Sequence, residues 1–186
     1  MAHGLIIEAQ LAADNIDTLN RHVVSSTADF DGGNLMELKP INAVGDDRYT
    51  ATVPVATTGL WVAYPAQQRF IDVDGRRFAG LTVDERAYTN LQGETFNAFK
   101  PKVGDTMSFS IDDLDADSQA LIASIEAGDI LEAKTGQKTL TRVAKATGAT
   151  ANTTAFEIKY IHYELFPKAG IGNERVPFFR VVCVQE

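Results

Sequence analysis

The sequence predicts an all-β protein: an antiparallel β-sandwich or barrel, or two small β domains, with at most one short helix. Three observations lead there. Apolar residues alternate with polar ones at period two, as where Met107, Phe109 and Ile111 are interleaved with Ser108 and Ser110. Turn signals built from Gly, Asp, Asn and Pro recur at roughly the spacing of short strands, every eight to twelve residues. Only one segment, Asp115 to Ala127, carries a helical pattern.

Taken in order, Leu5-Ile6-Ile7 predicts a short strand or an arm, and residues 8–20 give only a weak helical or irregular signal. Val23-Val24 marks a strand, and Asp31-Gly32-Gly33-Asn34 a turn. Leu35–Lys39 forms the next strand, ended by Pro40. Tyr49, Ala51, Val53 and Val55 alternate with Thr50 and Thr52, and Pro54 closes that strand or puts it at an edge. Leu60–Tyr64 reads as a buried strand carrying the only tryptophan, Trp61. Asp74-Gly75 between Phe70-Ile71-Asp72-Val73 and Arg76-Arg77-Phe78 predicts a tight hairpin, because both central positions of its turn need positive φ.

The segment 80–100 is polar with scattered aromatics (Tyr88, Phe96, Phe99) and reads as a linker or extended loop. Pro101 holds Lys100 extended, and Gly104-Asp105 turns the chain into the strand at 106–111. In the helical segment Asp115 or Asp117 is the cap, Leu121, Ile122 and Ile125 form the stripe and Gly128 the stop; a strand over Ala120–Ile125 is the alternative. Ile130–Lys134 and Thr139–Val143 predict a hairpin, and residues 146–154 a polar loop. Phe156–Phe166 is the longest strand. Its apolar phase slips by one residue, from Phe156, Ile158 and Tyr160 to Ile161, Tyr163 and Leu165, which marks a β-bulge near Tyr160-Ile161. Phe178–Val184 is the last strand.

These elements suggest an N-terminal β-rich unit over 1–80 with an extended N-terminal arm, a linker over 81–100 and a C-terminal β unit over 101–186. With 186 residues the chain has enough length for a substantial core. A net charge of −8, with no clustered Lys and Arg, argues against nucleic acid as a partner. No apolar run is long enough to span a membrane, and no secretory signal is evident. A single cysteine, Cys183, rules out an internal disulfide framework and fits a reducing compartment.

Candidate chemistry is sparse. Asp113-x-Asp115-x-Asp117 has the spacing that opens a calcium loop, but Ser118 and Ser124 occupy the positions where that loop needs Gly and Glu, so a solvated loop with a helix cap is the better reading. His3, His22 and His162 have no metal-ligand spacing. Cys183 lies within an apolar strand and is expected to be a buried, inert thiol. No phosphate loop or nucleophile elbow occurs. Trp61, Tyr64, Tyr88, Phe96 and Phe99 would suit a sugar-stacking platform, although core packing is the commoner use of such residues. The expectation is a non-enzymatic protein with no cofactor and no metal.

Several segments carry a resemblance: Tyr49–Pro54, Gly59–Pro65, Arg86–Tyr88 leading to Phe99–Phe109, and Gly128–Lys134 ahead of Gly136-Gln-Lys-Thr-Leu140. Their order and spacing, from about residue 45 onward, resemble bacteriophage head proteins of the small decoration (cement) type, encoded beside a major capsid protein. The resemblance implies a β-rich virion structural protein, assembled in the host cytoplasm, that binds the major capsid protein lattice and stabilises the phage head. It implies no catalytic residues. Homo-oligomerisation is a further expectation. Interface contacts are expected at Leu5, Ile6, Ile7, Phe96 and Phe99, from extended segments that reach neighbours. The alternatives are a tail, fibre or glycan-binding β-sandwich of a phage particle, which needs an exposed Trp61 or Tyr64, and an enzyme using Cys183 with His162 or an acidic pair.

Overall fold

The computed structural model describes residues 3–41, 46–66, 70–73, 76–79, 86, 88–167 and 172–186. The protein is mainly β, with antiparallel sheets, a small barrel and one short α-helix. Strands β1 (Ile6–Gln10), β9 (Thr106–Ser110), β10 (Ile130–Glu132), β11 (Thr141–Val143), β12 (Ala155–Pro167) and β13 (Asn173–Gln185) form a six-stranded antiparallel sheet in the order β1-β9-β13-β12-β10-β11. Strands β2 (Asn20–Val24), β3 (Leu35–Pro40), β4 (Tyr49–Thr52), β5 (Trp61–Ala63) and β8 (Thr95–Phe99) close into a barrel in the order β2-β4-β3-β5-β8. The β2–β4 pair is parallel. Strands β6 (Phe70–Val73) and β7 (Arg76–Ala79) form the expected hairpin, with Val73 opposite Arg76; its Asp74-Gly75 turn lies outside the described residues.

Sheet membership does not follow the expected division of the chain. The first residues are not a free arm: β1 pairs with β9, placing Ile6 opposite Phe109. Nor is 81–100 wholly a linker, because β8 pairs with both β2 and β5 and closes the barrel. In both cases burying apolar side chains and pairing backbone groups outweighs the polar character of the surrounding sequence.

Alternation along β8 joins two cores. Phe96 and Ala98 point into the barrel with Val23, Phe30, Met36, Ala51 and Ala63. Phe99 points the other way, into the larger core under the sheet, with Val62, Leu35, Phe109, Phe156 and Phe179. The barrel's wall is therefore also the second layer over the sheet. Backbone bonds stitch the two units: Leu35 N–H to Lys138 O (2.7 Å) and Gly136 N–H to Pro54 O (2.8 Å).

The helical segment is shorter than its stripe suggests. Helix α1 spans Ala116–Ala120, capped by Asp115, whose side chain accepts from Ser118 N–H at 2.8 Å, and a 3-10 turn follows at Ile122–Ser124. Of the stripe only Ile125 is buried; Leu121 and Ile122 are exposed. Asp129 is fully buried and replaces helix packing as the local anchor. Burial raises its pKa, but N–H groups of Glu126 and Lys145 and the Arg142 guanidinium outweigh this and hold it below the ordinary carboxylate value.

Candidate interaction surface

Strands β12 and β13 each run thirteen residues, whereas their neighbours β9 and β10 are five and three long. Strand β9 covers β13 only from Phe178 to Val182, and β10 covers β12 only from Ala155 to Glu157. The far half of the hairpin, Lys159–Pro167 with Asn173–Pro177, therefore projects as a two-stranded arm.

A bulge sets which side chains the arm presents. Ile158 pairs with Val181 and Tyr160 with Arg180, so Lys159 is the extra residue. The phase slip expected at Tyr160-Ile161 is thus present, one to two residues earlier. Beyond it, one face carries Ile161, Tyr163 and Leu165 beside Pro177 and Arg175. This face continues the core face of the sheet: Ile161 packs against the core, while Tyr163 and Leu165 run on into solvent, 53% and 62% exposed. The Arg175 guanidinium lies 4.5 Å over the Tyr163 ring. The other face carries Tyr160, His162, Glu164 and Phe166. This face is held against the body, even near the turn. Phe166 stacks on Phe178, which packs with Leu5 and Val176, and buried Arg86 lies 4.6 Å over Phe166 and pairs with Glu174 at 3.1 Å.

The expected interface residues lie elsewhere. Leu5, Ile6, Phe96 and Phe99 are buried within the chain's own cores, and Ile7 is half-buried against the Leu5, Val176 and Phe178 cluster. Their apolar character serves folding of this chain, and the four buried ones offer no free surface in the isolated protein. Sequence reasoning missed Tyr160, Tyr163, Leu165 and Arg175 as surface groups. The available signal was strand length: a run from 156 to 166 next to strands of about five residues must outreach its neighbours.

A polar groove runs along the barrel beside β2. Its adjoining cavities of 430 and 680 Å³ share His22, Tyr64, Pro65 and Asn97. Tyr64 Oη donates to Asn20 Oδ1 at 2.8 Å, and His22 Nδ1 meets Asn97 Oδ1 at 2.7 Å. Burial, helped by Glu8, Asp14 and Asp105, pushes the Tyr64 hydroxyl up to about 12. Trp61 and Tyr64 are half-buried, and Arg21 lies 5.5 Å over the Trp61 ring and 5.3 Å over Tyr49. Arg21 thus occupies an indole face that a sugar would use.

Cys183 is buried, and burial pushes its thiol up to about 12. It stands opposite Phe156, whereas His162 stands opposite Phe178, five residues along the same strand, about 17 Å away. The structure does not bring these two residues together. Compared with known protein families, with characterised proteins and with solved structures, the chain has no match.

Proposed function

We propose that this chain is a virion structural protein, a decoration or cement subunit that binds the major capsid protein lattice of a phage head and stabilises it. The observation that carries the reading is the β12–β13 arm. A body with two joined cores presents a stiff two-stranded projection on which Tyr163 and Leu165 are exposed side by side on one face and Tyr160 on the other. Clustered aromatic and aliphatic groups on a pre-ordered element suit docking, because little side-chain and backbone freedom is lost on binding. The segment resemblance to phage decoration proteins supports the same reading. An inert, buried Cys183 weakens the thiol-enzyme alternative.

Co-sedimentation with empty capsids of a phage carrying the gene tests this. The expected result is saturable binding at a fixed copy number, weakened at least about tenfold by Leu165→Asp at unchanged thermal stability. Removing residues 1–20 would not serve, since it strips β1 from the sheet. Absence of saturable binding overturns the reading. The groove beside β2, lined by Asn20, His22, Tyr64 and Asn97, is the feature that favours a glycan-binding tail or fibre module instead. A glycan array is its test.

A further inference from the structure

Past the point where β10 ends, one side of β12 is open among the described residues. Among the described residues nothing pairs with β12 from Lys159 to Pro167 except β13. The direction of each peptide on this edge follows from the hydrogen bonds. Ser110 donates its N–H to Leu5 O, away from β13, so Phe178 opposite Ser110 must turn its own N–H and C=O toward β12. His162, opposite Phe178, therefore points its peptide groups inward. Ile161, Tyr163 and Leu165 point theirs outward, with no partner among the described residues. Proline, charge, a bulge or covering usually guards such an edge; here the bulged Lys159 guards one end and Pro167 the other, and Ile161 to Leu165 lie between them.

We propose that a second copy of this chain pairs with this edge, antiparallel and centred on Tyr163, joining the two six-stranded sheets into one across a twofold axis. Three features select the occupant and the register. First, the open edge is symmetric about Tyr163, which lies midway between Lys159 and Pro167, so this register pairs the whole edge with itself. Second, it makes the outward residues hydrogen-bonded pairs: Tyr163 meets Tyr163 of the other copy, and Ile161 meets its Leu165. Third, the side chains match. On one face two tyrosines meet between two Ile161–Leu165 pairs, and on the other each His162 faces the second copy's Glu164 and each Tyr160 faces its Phe166. Shifting the centre to His162 would instead set Tyr160 against Glu164 and Leu165 against Lys159. The symmetry of the contact is isologous, as closed dimers require. Pairing consumes the edge and leaves the exposed side chains of Tyr160, Tyr163 and Leu165 on the faces, so the inference does not depend on the capsid reading.

Sedimentation equilibrium of the isolated protein, combined with oxidative cross-linking, tests the proposal. The wild type is expected to show a monomer–dimer equilibrium. Tyr163→Pro removes an N–H that β13 does not use and should weaken the dimer at least about tenfold, through two lost backbone bonds. Glu164→Lys should weaken it as well, and adding His162→Glu to that variant should restore it. Tyr163→Cys should cross-link to itself, since hydrogen-bonded partners have Cα atoms about 5.5 Å apart, within disulfide reach. Leu165→Cys alone should not, because the two copies would lie about 13 Å apart along the strand. A protein monomeric at every accessible concentration, a dimer indifferent to these variants, or faster cross-linking through position 165 than 163 overturns the proposal. Failure on capsids with a dimer intact would sink the decoration reading alone.

Discussion

Asp113 lies directly beneath Gly33: a Cβ added to the glycine would sit 2.6 Å from the aspartate Oδ1. Gly33 has φ +98° and donates its N–H to Ala63 O at the barrel rim. Gly104 has the same φ of +98°, but nothing lies within 4 Å of its Cβ position. Alanine at 104 should cost about 1 kcal/mol of backbone strain, and alanine at 33 roughly 2–4 kcal/mol, because the collision with a buried carboxyl adds to the strain. Urea denaturation of the two variants measures the difference. Equal losses would mean that Asp113 yields freely.

Asp113 should also make stability depend on pH. Burial pushes its pKa well above the ordinary value, helped by Asp31 and Asp112, although Ser110 N–H and Oγ donate to it, each at 2.8 Å. Well below about pH 3.9, both folded and unfolded chains hold this proton. As pH rises past about 3.9, the unfolded chain releases it and the folded chain keeps it, so this residue's contribution falls until the raised folded-state pKa is passed. Asp113→Asn removes the titration. The variant is expected to gain stability relative to wild type as pH rises from 4 to 7, read from denaturation midpoints. A gap that stays constant with pH would show that the carboxyl ionises in the folded state as it does in the unfolded chain.

Phe99 and Leu165 separate core from surface. Both sit in apolar positions of alternating strands, yet Phe99 is fully buried and Leu165 is 62% exposed. Phe99→Ala should cost about 3–5 kcal/mol, because it opens a cavity between the barrel and the sheet. Leu165→Ala should change stability by no more than about 0.5 kcal/mol. Guanidinium unfolding of both checks this, and a comparable loss at Leu165 would mean that the arm tip is packed.

What could be read from the sequence was what period two and local turns encode. The strand at 106–110, the hairpin around Asp74-Gly75 and the phase slip before Ile161 each depend on neighbours within a few residues. Pairings between distant segments were not legible. Nothing local to Val23 and Val24 announces a parallel partner at Tyr49 and Thr50, and nothing in Thr95–Phe99 announces closure onto Asn20–Val24. The candidate site suffered from the same ambiguity in the opposite sense. Apolar side chains in short strand-like runs mark Leu5, Ile6, Phe96 and Phe99, and alternation marks Tyr163 and Leu165, but neither pattern tells whether the side chain meets the core or solvent. Asp113, set in an acidic run, resembled its solvated neighbours although it is buried under two glycines.

Lys159 offers a direct test of how the arm is built. It is the unpaired residue of the bulge, exposed, between Ile158 opposite Val181 and Tyr160 opposite Arg180. Deleting it should leave a regular ladder in which Phe156, Ile158, Ile161, Tyr163 and Leu165 fall on one face without interruption. The expected cost is small, about 1 kcal/mol or less, since the partners on both sides are unchanged. Deleting His162 instead should reverse the faces of everything beyond it, carrying Tyr163 toward the Phe178 side and pulling Phe166 off Phe178. Thermal unfolding should therefore separate the two deletions clearly, and Cys183 labelling should stay slow in the Lys159 deletion, because the core half of β12 keeps its register. If both deletions cost the same, the bulge is an essential bend in the sheet rather than a one-residue phase adjustment between core and arm.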